Sequence, residues 1–164
     1  SRKAGYKNDA FTQIYRQHHG AVRALLFRFG IDSDLEDQVQ EVFLKAFRGL
    51  ADFRSDSTFK TWLLSIAINV AKDFLKKKRL AFSESPLENF ATPARDPDFY
   101  PSIEKALLRL ELNYRELIIL CGIEGYSMQE AAAILDIPEG TVKSRLASAR
   151  EKMRVALVEI GMIL

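Results

Sequence analysis

The sequence predicts an all-α protein of two small helical domains joined by a linker, the second a helix-turn-helix. Three observations carry this. A helical period in the apolar residues recurs along most of the 164 residues, and strand-like alternation persists nowhere. The period lapses before residue 101, where Pro86, Pro93, Pro97 and Pro101 fall among Ser, Asn, Asp and Glu. Near the C-terminus a short capped segment, a break and a long basic segment follow in the order of a helix-turn-helix. The expected boundaries are 1–80, a linker over 81–101, and 102–164.

In the first domain Phe11, Ile14, Tyr15, His18, Val22, Leu25, Leu26 and Phe29 form one helical stripe, closed by Gly30. Ser33 and Glu36 have the spacing of a capping box, in which each side chain satisfies the other's free N–H. The helix it starts puts Val39, Val42, Phe43, Ala46, Phe47 and Leu50 on one face. After a polar loop over 53–57, a third helix is expected from Thr58 to Arg79. Its apolar line is Trp62, Ile66, Val70 and Phe74, supported by Leu63 and Ala67. Three such stripes bury against each other. Proline then removes backbone donors and stops the helix, so residues 81–101 read as an acidic, semi-extended linker.

The second domain starts near Ser102 with a helix through Ile103, Leu107, Leu108 and Leu110, then another from Tyr114 to Ile123, ended by Glu124-Gly125. Ser127 and Glu130 form a further capping box for Met128 to Leu135. Asp136-Ile137-Pro138 breaks the chain, and Glu139-Gly140 opens a helix to about Val158. Ala131 marks the close crossing of the two helices. Ile134, Leu135, Ile137, Val142 and Leu146 are expected to fill the corner between them.

Composition narrows the function. No apolar run nears the roughly 20 residues a membrane span needs, and the first residues, polar and basic, do not read as a signal peptide. A lone cysteine, Cys121, leaves no internal disulfide and fits a reducing cytosol; its neighbours Ile118, Ile119 and Leu120 suggest a buried structural thiol. A soluble cytoplasmic protein is expected. Net charge is only +2, yet residues 1–82 hold 15 Lys and Arg against 9 Asp and Glu, and a second basic cluster runs from Lys143 to Arg154. Such asymmetry favours a directional contact with a polyanion. Catalysis finds no support. His18 and His19 are adjacent and point apart on a helix, and neither a Gly-rich phosphate loop nor a Cys/His metal spacing occurs. The expectation is no enzyme, no cofactor and no metal.

The candidate site is therefore a set of surfaces. The second helix of a helix-turn-helix enters the major groove. With Val142 and Leu146 claimed by packing, its other face presents Glu139, Thr141, Lys143, Ser144, Arg145, Ser148 and Arg150. Short Thr and Ser allow close approach, while Lys and Arg reach phosphates and Arg grips guanine by two bonds. On the third helix Asn69, Lys72, Asp73 and Lys76 share a polar side spaced to follow a strand. The basic run Lys76 to Arg79 also offsets the helix dipole. Phe59 and Trp62 suit stacking on unpaired bases, although Trp62 lies on the apolar stripe and reads first as core. The helix over 34–50 shows a different outer face, Asp37, Gln40, Glu41, Leu44, Lys45 and Arg48, a mixture that a protein would read more naturally than DNA, but that from the residues alone reads first as a solvated face.

Three stretches together resemble the extracytoplasmic-function (group IV) RNA polymerase sigma factors. Asp37 through Phe47 is similar to that family's polymerase-binding helix. Phe53-Arg54-Ser55-Asp56-Ser57-Thr58-Phe59-Lys60-Thr61-Trp62-Leu63, continuing to Asn69 and Asp73, resembles its promoter-melting loop and the helix that reads the −10 element. Glu124 through Leu146 resembles the helix-turn-helix that reads the −35 element. Two departures stand out: Leu110-Glu111 where the family usually has Leu-Pro, a change expected to lengthen a helix, and Asp136 where a turn glycine is usual. The resemblance implies that the Asp37–Arg48 face docks on core RNA polymerase. It further implies that Arg54, Ser55, Ser57, Phe59 and Lys60 hold a flipped base of the −10 strand, with Asn69, Lys72, Asp73 and Lys76 beside it. Partners implied are core polymerase, promoter DNA and an anti-sigma factor. The rival readings are a helix-turn-helix regulator whose first domain senses a ligand or dimerises, which would bind a palindromic duplex without polymerase, and a helical adaptor that binds proteins only.

Overall fold

The computed structural model describes residues 2–54, 56–82 and 101–163, and no strand occurs among them. The first domain holds α1 (Arg2–Phe29), α2 (Leu35–Gly49), a short 3-10 turn at Leu50–Asp52, and α3 (Phe59–Phe82). The second holds α4 (Ser102–Leu108), then α5 (Leu112–Leu117), which continues as a π-helical turn at Ile118–Ile123. The helix-turn-helix pair is α6 (Met128–Leu135) and α7 (Glu139–Glu159). Most of the expected linker, 83–100, lies outside the described residues, as does Ser55.

α1 stops where Gly30 takes φ +105°, and the Gly30 and Ile31 N–H groups turn back to the Phe27 and Leu26 carbonyls at 2.9 and 3.2 Å. Val22, Leu25, Leu26 and Phe29 of α1 share one core with Val39, Val42, Phe43 and Ala46 of α2. Burial there follows the expected stripe, with two corrections. Phe47 is 45% exposed and Leu50 37% exposed. The four inner residues already fill the apolar arc of the helix; Phe47 sits at its margin against the Phe11 ring at 4.9 Å, and Leu50 belongs to the 3-10 turn beyond the helix.

The Ser33–Glu36 capping box does not form. Asp34 precedes α2 without a side-chain cap bond, and Glu36 turns instead to Arg23 at 2.6 Å and His19 at 3.7 Å. A charged donor competes better for the carboxylate than a neutral N–H does. The α3 stripe is also shifted. Leu63, Leu64, Ala67, Ile68, Val70 and Ala71 are buried, whereas Trp62, Ile66 and Phe74 are half-buried. α3 packs on α1 and α2 and also meets α6, so its burial is wider than one line.

In the second domain the missing proline does not lengthen α4. Glu111 adopts φ −60° and ψ 152°, the extended conformation a proline would impose, and α5 starts one residue later. The Arg115 guanidinium gathers the carbonyls of Leu107 at 2.9 Å, Leu110 at 2.8 Å and Leu108 at 3.3 Å around the C-terminal end of α4, where Leu107 also accepts from the Leu110 N–H at 3.0 Å. Ser127 and Glu130 make both bonds of the expected capping box, at 3.0 and 2.7 Å. Asp136 takes the left-handed conformation of the turn, φ 53° and ψ 50°, with the Ile137 N–H on the Ala132 carbonyl at 3.1 Å. Ala131 is buried at the crossing of α6 and α7, with Val142 and Leu146 buried and Ile134, Leu135 and Ile137 half-buried around it. Cys121 is half-buried rather than buried; burial pushes its thiol up, away from reactive thiolate.

The two domains touch. Arg115 also donates to the Phe29 carbonyl at the end of α1, Arg28 lies 3.5 Å from Glu124, and Lys72 lies 2.8 Å from Glu116. Near the start of α3 the Thr61 hydroxyl donates to the Tyr126 oxygen at 3.4 Å.

Candidate nucleic-acid interface

α7 runs for 21 residues, roughly 30 Å at 1.5 Å per residue. The Pro138 carbonyl accepts from the Thr141 and Val142 N–H groups and sets its first turn. Val142, Leu146 and Ala149 point into the core. At 100° per residue the centre of the opposite face over the N-terminal half of α7 is Gly140, Ser144, Ala147 and Ser148, all exposed, and exposed Glu151 continues that line. Half-buried Thr141 adjoins them, and the Ser144 hydroxyl donates to its carbonyl at 3.2 Å. The charges flank this strip. Lys143, Glu139 and Arg150 stand toward one margin, and half-buried Arg145 toward the other. Arg150 is near enough to act on the Cys121 thiol. Charge therefore borders a low central strip that a groove edge could meet closely. Gly140 and Ala147 escaped the sequence reading because they offer no polar group; their contribution is the space they leave.

In the first domain Arg54, Asp56, Ser57, Thr58 and Lys60 are exposed around the start of α3, and Thr58 caps that helix by accepting from the Thr61 N–H at 3.2 Å. Phe59 faces inward more than expected. Half-buried, it packs with His18 at 5.3 Å, Trp62 at 5.5 Å and Phe53 at 5.8 Å, so these aromatics support the loop from beneath. Burial, aided by the Lys60 charge, holds the His18 pKa below its ordinary value. Asn69, Asp73 and Lys76 are exposed along α3, while Lys72 on the same side is held by Glu116. An open groove of about 390 Å³ joins Asn69, Trp62 and Ile66 to Lys45, Gly49 and Asp52. The Trp62 indole lies over Gly49, its Cζ2 3.4 Å from where a Cβ would stand, an ordinary contact distance. Periodicity gave no sign of this groove, since its walls come from two helices and a turn.

On α2, Asp37, Gln40, Leu44, Lys45 and Arg48 are exposed and Glu41 is half-buried, with Glu41 and Lys45 4.0 Å apart. Leu44 is 49% exposed and neighbours exposed Phe47, giving this charged face an apolar centre. Such a patch suits a protein surface.

Residues 14–80 match the family Sigma-70 region 2, and residues 101–153 match Sigma-70, region 4. The ECF RNA polymerase sigma-E factor of Escherichia coli is 35% identical over 160 residues, covering 87% of this chain and 83% of that protein. The ECF RNA polymerase sigma factor SigM of Mycobacterium tuberculosis is 32% identical over 148 residues, covering 88% and 75%. Among solved structures, the sigma factor RpoE in complex with the anti-sigma factor NepR from Bartonella quintana superposes with a TM-score of 0.75 at 30% identity, over 90% of this chain and 96% of that one. CnrH in complex with the cytosolic domain of CnrY gives a TM-score of 0.67 at 30% identity, over 94% and 90%. A sensing or dimerising first domain, and a purely protein-binding adaptor, both give way to the region 2 and region 4 matches. The chain is a member of the extracytoplasmic-function RNA polymerase sigma factors, proteins that direct transcription initiation.

Proposed function

We propose that this factor brings core RNA polymerase to promoters by reading two DNA elements with separate surfaces. Residues 102–164 hold the −35 duplex. α7 lies in the major groove, Gly140, Ser144, Ala147 and Ser148 against base edges, with Thr141, Lys143, Arg145 and Arg150 on phosphates and flanking bases and Glu139 at the helix start. Residues 1–80 hold the −10 strand. Arg54, Ser55, Ser57 and Lys60 line the loop, Phe59 braces it, and Asn69, Lys72, Asp73 and Lys76 follow the backbone along α3. Asp37, Gln40, Glu41, Leu44, Lys45 and Arg48 dock on core polymerase. Residues 81–101 tether the two units, so two modest interactions combine into one selective one. The factor acts in the cytoplasm with polymerase, uses no cofactor, and pairs with an anti-sigma factor, as the similar RpoE of Bartonella quintana does with NepR.

The observation that carries this reading is the exposed, small-centred and cation-flanked face of α7 on a chain whose α2 separately offers Leu44 within a charged patch. Reconstituted transcription tests it. Core polymerase plus this chain should start from promoters mapped by transcript sequencing after overexpression. Leu44→Asp should abolish initiation by preventing holoenzyme assembly. Lys143→Ala with Arg145→Ala should leave assembly intact and weaken promoter use in a salt-dependent way. Initiation by the Leu44→Asp protein at the wild-type level would refute the assignment of α2.

A further inference from the structure

We propose that Phe47 is a second apolar anchor for core RNA polymerase beside Leu44, and that Phe11 of α1 is the positioning residue that holds the Phe47 ring ready to dock. The inference rests on the reading of α2 as the polymerase surface and adds two residues to it.

The C-terminal end of α2 leaves apolar area in water. Leu44, Phe47 and, just beyond the helix, Leu50 are each more than a third exposed, although Val39, Val42, Phe43 and Ala46 of the same helix are buried. Gln40, Lys45 and Arg48 are exposed on this helix as well, and Glu41 is half-buried. An apolar centre with a polar rim is the layout of a protein contact, and a ring in such a centre removes the most area from water when it is covered. Phe47 is continuous with Leu44, so the same partner covers both.

The ring is held from α1, which runs antiparallel along α2. Arg23 and His19 meet Glu36 near the start of α2, and Tyr15 meets Phe43 at 4.7 Å one turn before its end. Phe11 closes this line. Its ring stands edge-on to Phe47, with centroids 4.9 Å apart and planes at 73°, and edge-on to Phe43 at 6.4 Å and 82°. Phe43 is only 3% exposed, so the brace is itself seated in the core. A phenyl group at a helix margin has two staggered settings about its first torsion, and an aromatic edge against its face favours one of them. A ring already set loses less freedom on docking. The remaining α1–α2 contacts do not involve Phe11, so its removal leaves the helix in place.

The test titrates the fluorescein-labelled full chain with core RNA polymerase. Phe47→Ala should weaken binding about tenfold and Phe11→Ala about fivefold. Because Phe11 acts through Phe47, the double variant should bind no more weakly than Phe47→Ala; independent losses would multiply to about fiftyfold and overturn the positioning role. Phe11→Tyr keeps the ring edge and should recover wild-type affinity. Phe11→Leu keeps apolar bulk without a ring: its urea midpoint should stay near that of wild type while binding remains about threefold weaker. This variant keeps the test decisive if Phe11→Ala folds poorly, and wild-type affinity in it overturns the proposal. Self-association of the wild-type chain that Phe47→Ala abolishes, with polymerase affinity unchanged, would assign the patch to a second copy and also overturn it. Leu44→Asp separates the underlying reading. Lost binding there with wild-type binding by the Phe47 and Phe11 variants removes the proposal alone; wild-type binding by Leu44→Asp removes the α2 assignment and the proposal with it.

Discussion

At the scale of single residues, Arg115 has the largest expected effect. Its guanidinium bonds four main-chain carbonyls, and no other side chain presents that fork. Arg115→Met should cost about 3 kcal/mol in urea unfolding, because four main-chain acceptors lose this charged donor together; a loss below about 1 kcal/mol would show that water replaces it. Burial lowers its pKa to about 10, still far above neutrality, so the bonds are charge-assisted at physiological pH. Nothing in the sequence pointed to this role. An arginine between Tyr114 and Glu116 reads as one more solvated charge, and its acceptors are main-chain atoms, one of them 86 residues away. His18 makes the pH prediction. Its folded pKa lies below 6.5, so around and below that value the unfolded chain binds more protons. Its contribution is complete above the unfolded pKa and is lost as pH falls through the window beneath it. Between about pH 7.5 and about pH 5.5, His18→Gln should therefore lose less melting temperature than wild type. Equal losses would exclude His18 as the source. Glu36 and Glu151, both lowered from 4.5, act only at more acidic pH.

At the scale of elements, turn chemistry was the most legible part of the sequence. Gly30 and Gly125 take positive φ as helix stops, Ser127 and Glu130 form their capping box, and Asp136 occupies the left-handed turn position. These signals are local and need no knowledge of what packs nearby. Ser33–Glu36 failed because a charged neighbour from α1 claimed the glutamate, which spacing along one helix does not reveal. The shifted stripe of α3 failed for the same kind of reason: a second packing partner widened its buried face. Ser127→Ala should cost about 1 kcal/mol, measured by thermal or urea unfolding. Asp136→Gly should stabilise by about 0.5 kcal/mol, since glycine adopts the left-handed conformation without strain and keeps most of that gain despite its looser unfolded state. Destabilisation instead would mean that the Asp136 carboxylate contributes to the turn. In α7 the solvent-facing polar residues were legible, but their arrangement was not. The small centre and charged margins emerge only once Val142, Leu146 and Ala149 fix which way the helix is turned.

At the scale of the whole molecule, the sequence indicated two units and a lapse between them but not that the units meet. The only hint was the charge asymmetry, a basic first block against a slightly acidic remainder, and the contact uses it in Arg28–Glu124 and Lys72–Glu116. The apolar part of the contact, such as Leu108 over Gly30, lies at helix ends, where periodicity along one helix does not reveal a partner on another. The contact has a thermodynamic consequence. Because Arg115 is buried between the domains and bonded to both, opening them leaves its charge and the Phe29 carbonyl without this bond, so the domains should unfold together. Trp62 is the single tryptophan and reports the first domain, whereas far-ultraviolet circular dichroism reports helices of both. In wild type the two signals should follow one urea curve, with a slope set by the surface of the full chain. Glu116→Lys places a second cation against Lys72 at the buried contact and should part the domains without touching either core. The two signals should then separate into distinct transitions, each with a shallower slope. Coincident curves in that variant, or separate ones in wild type, would show that the contact does not couple the folding of the two domains.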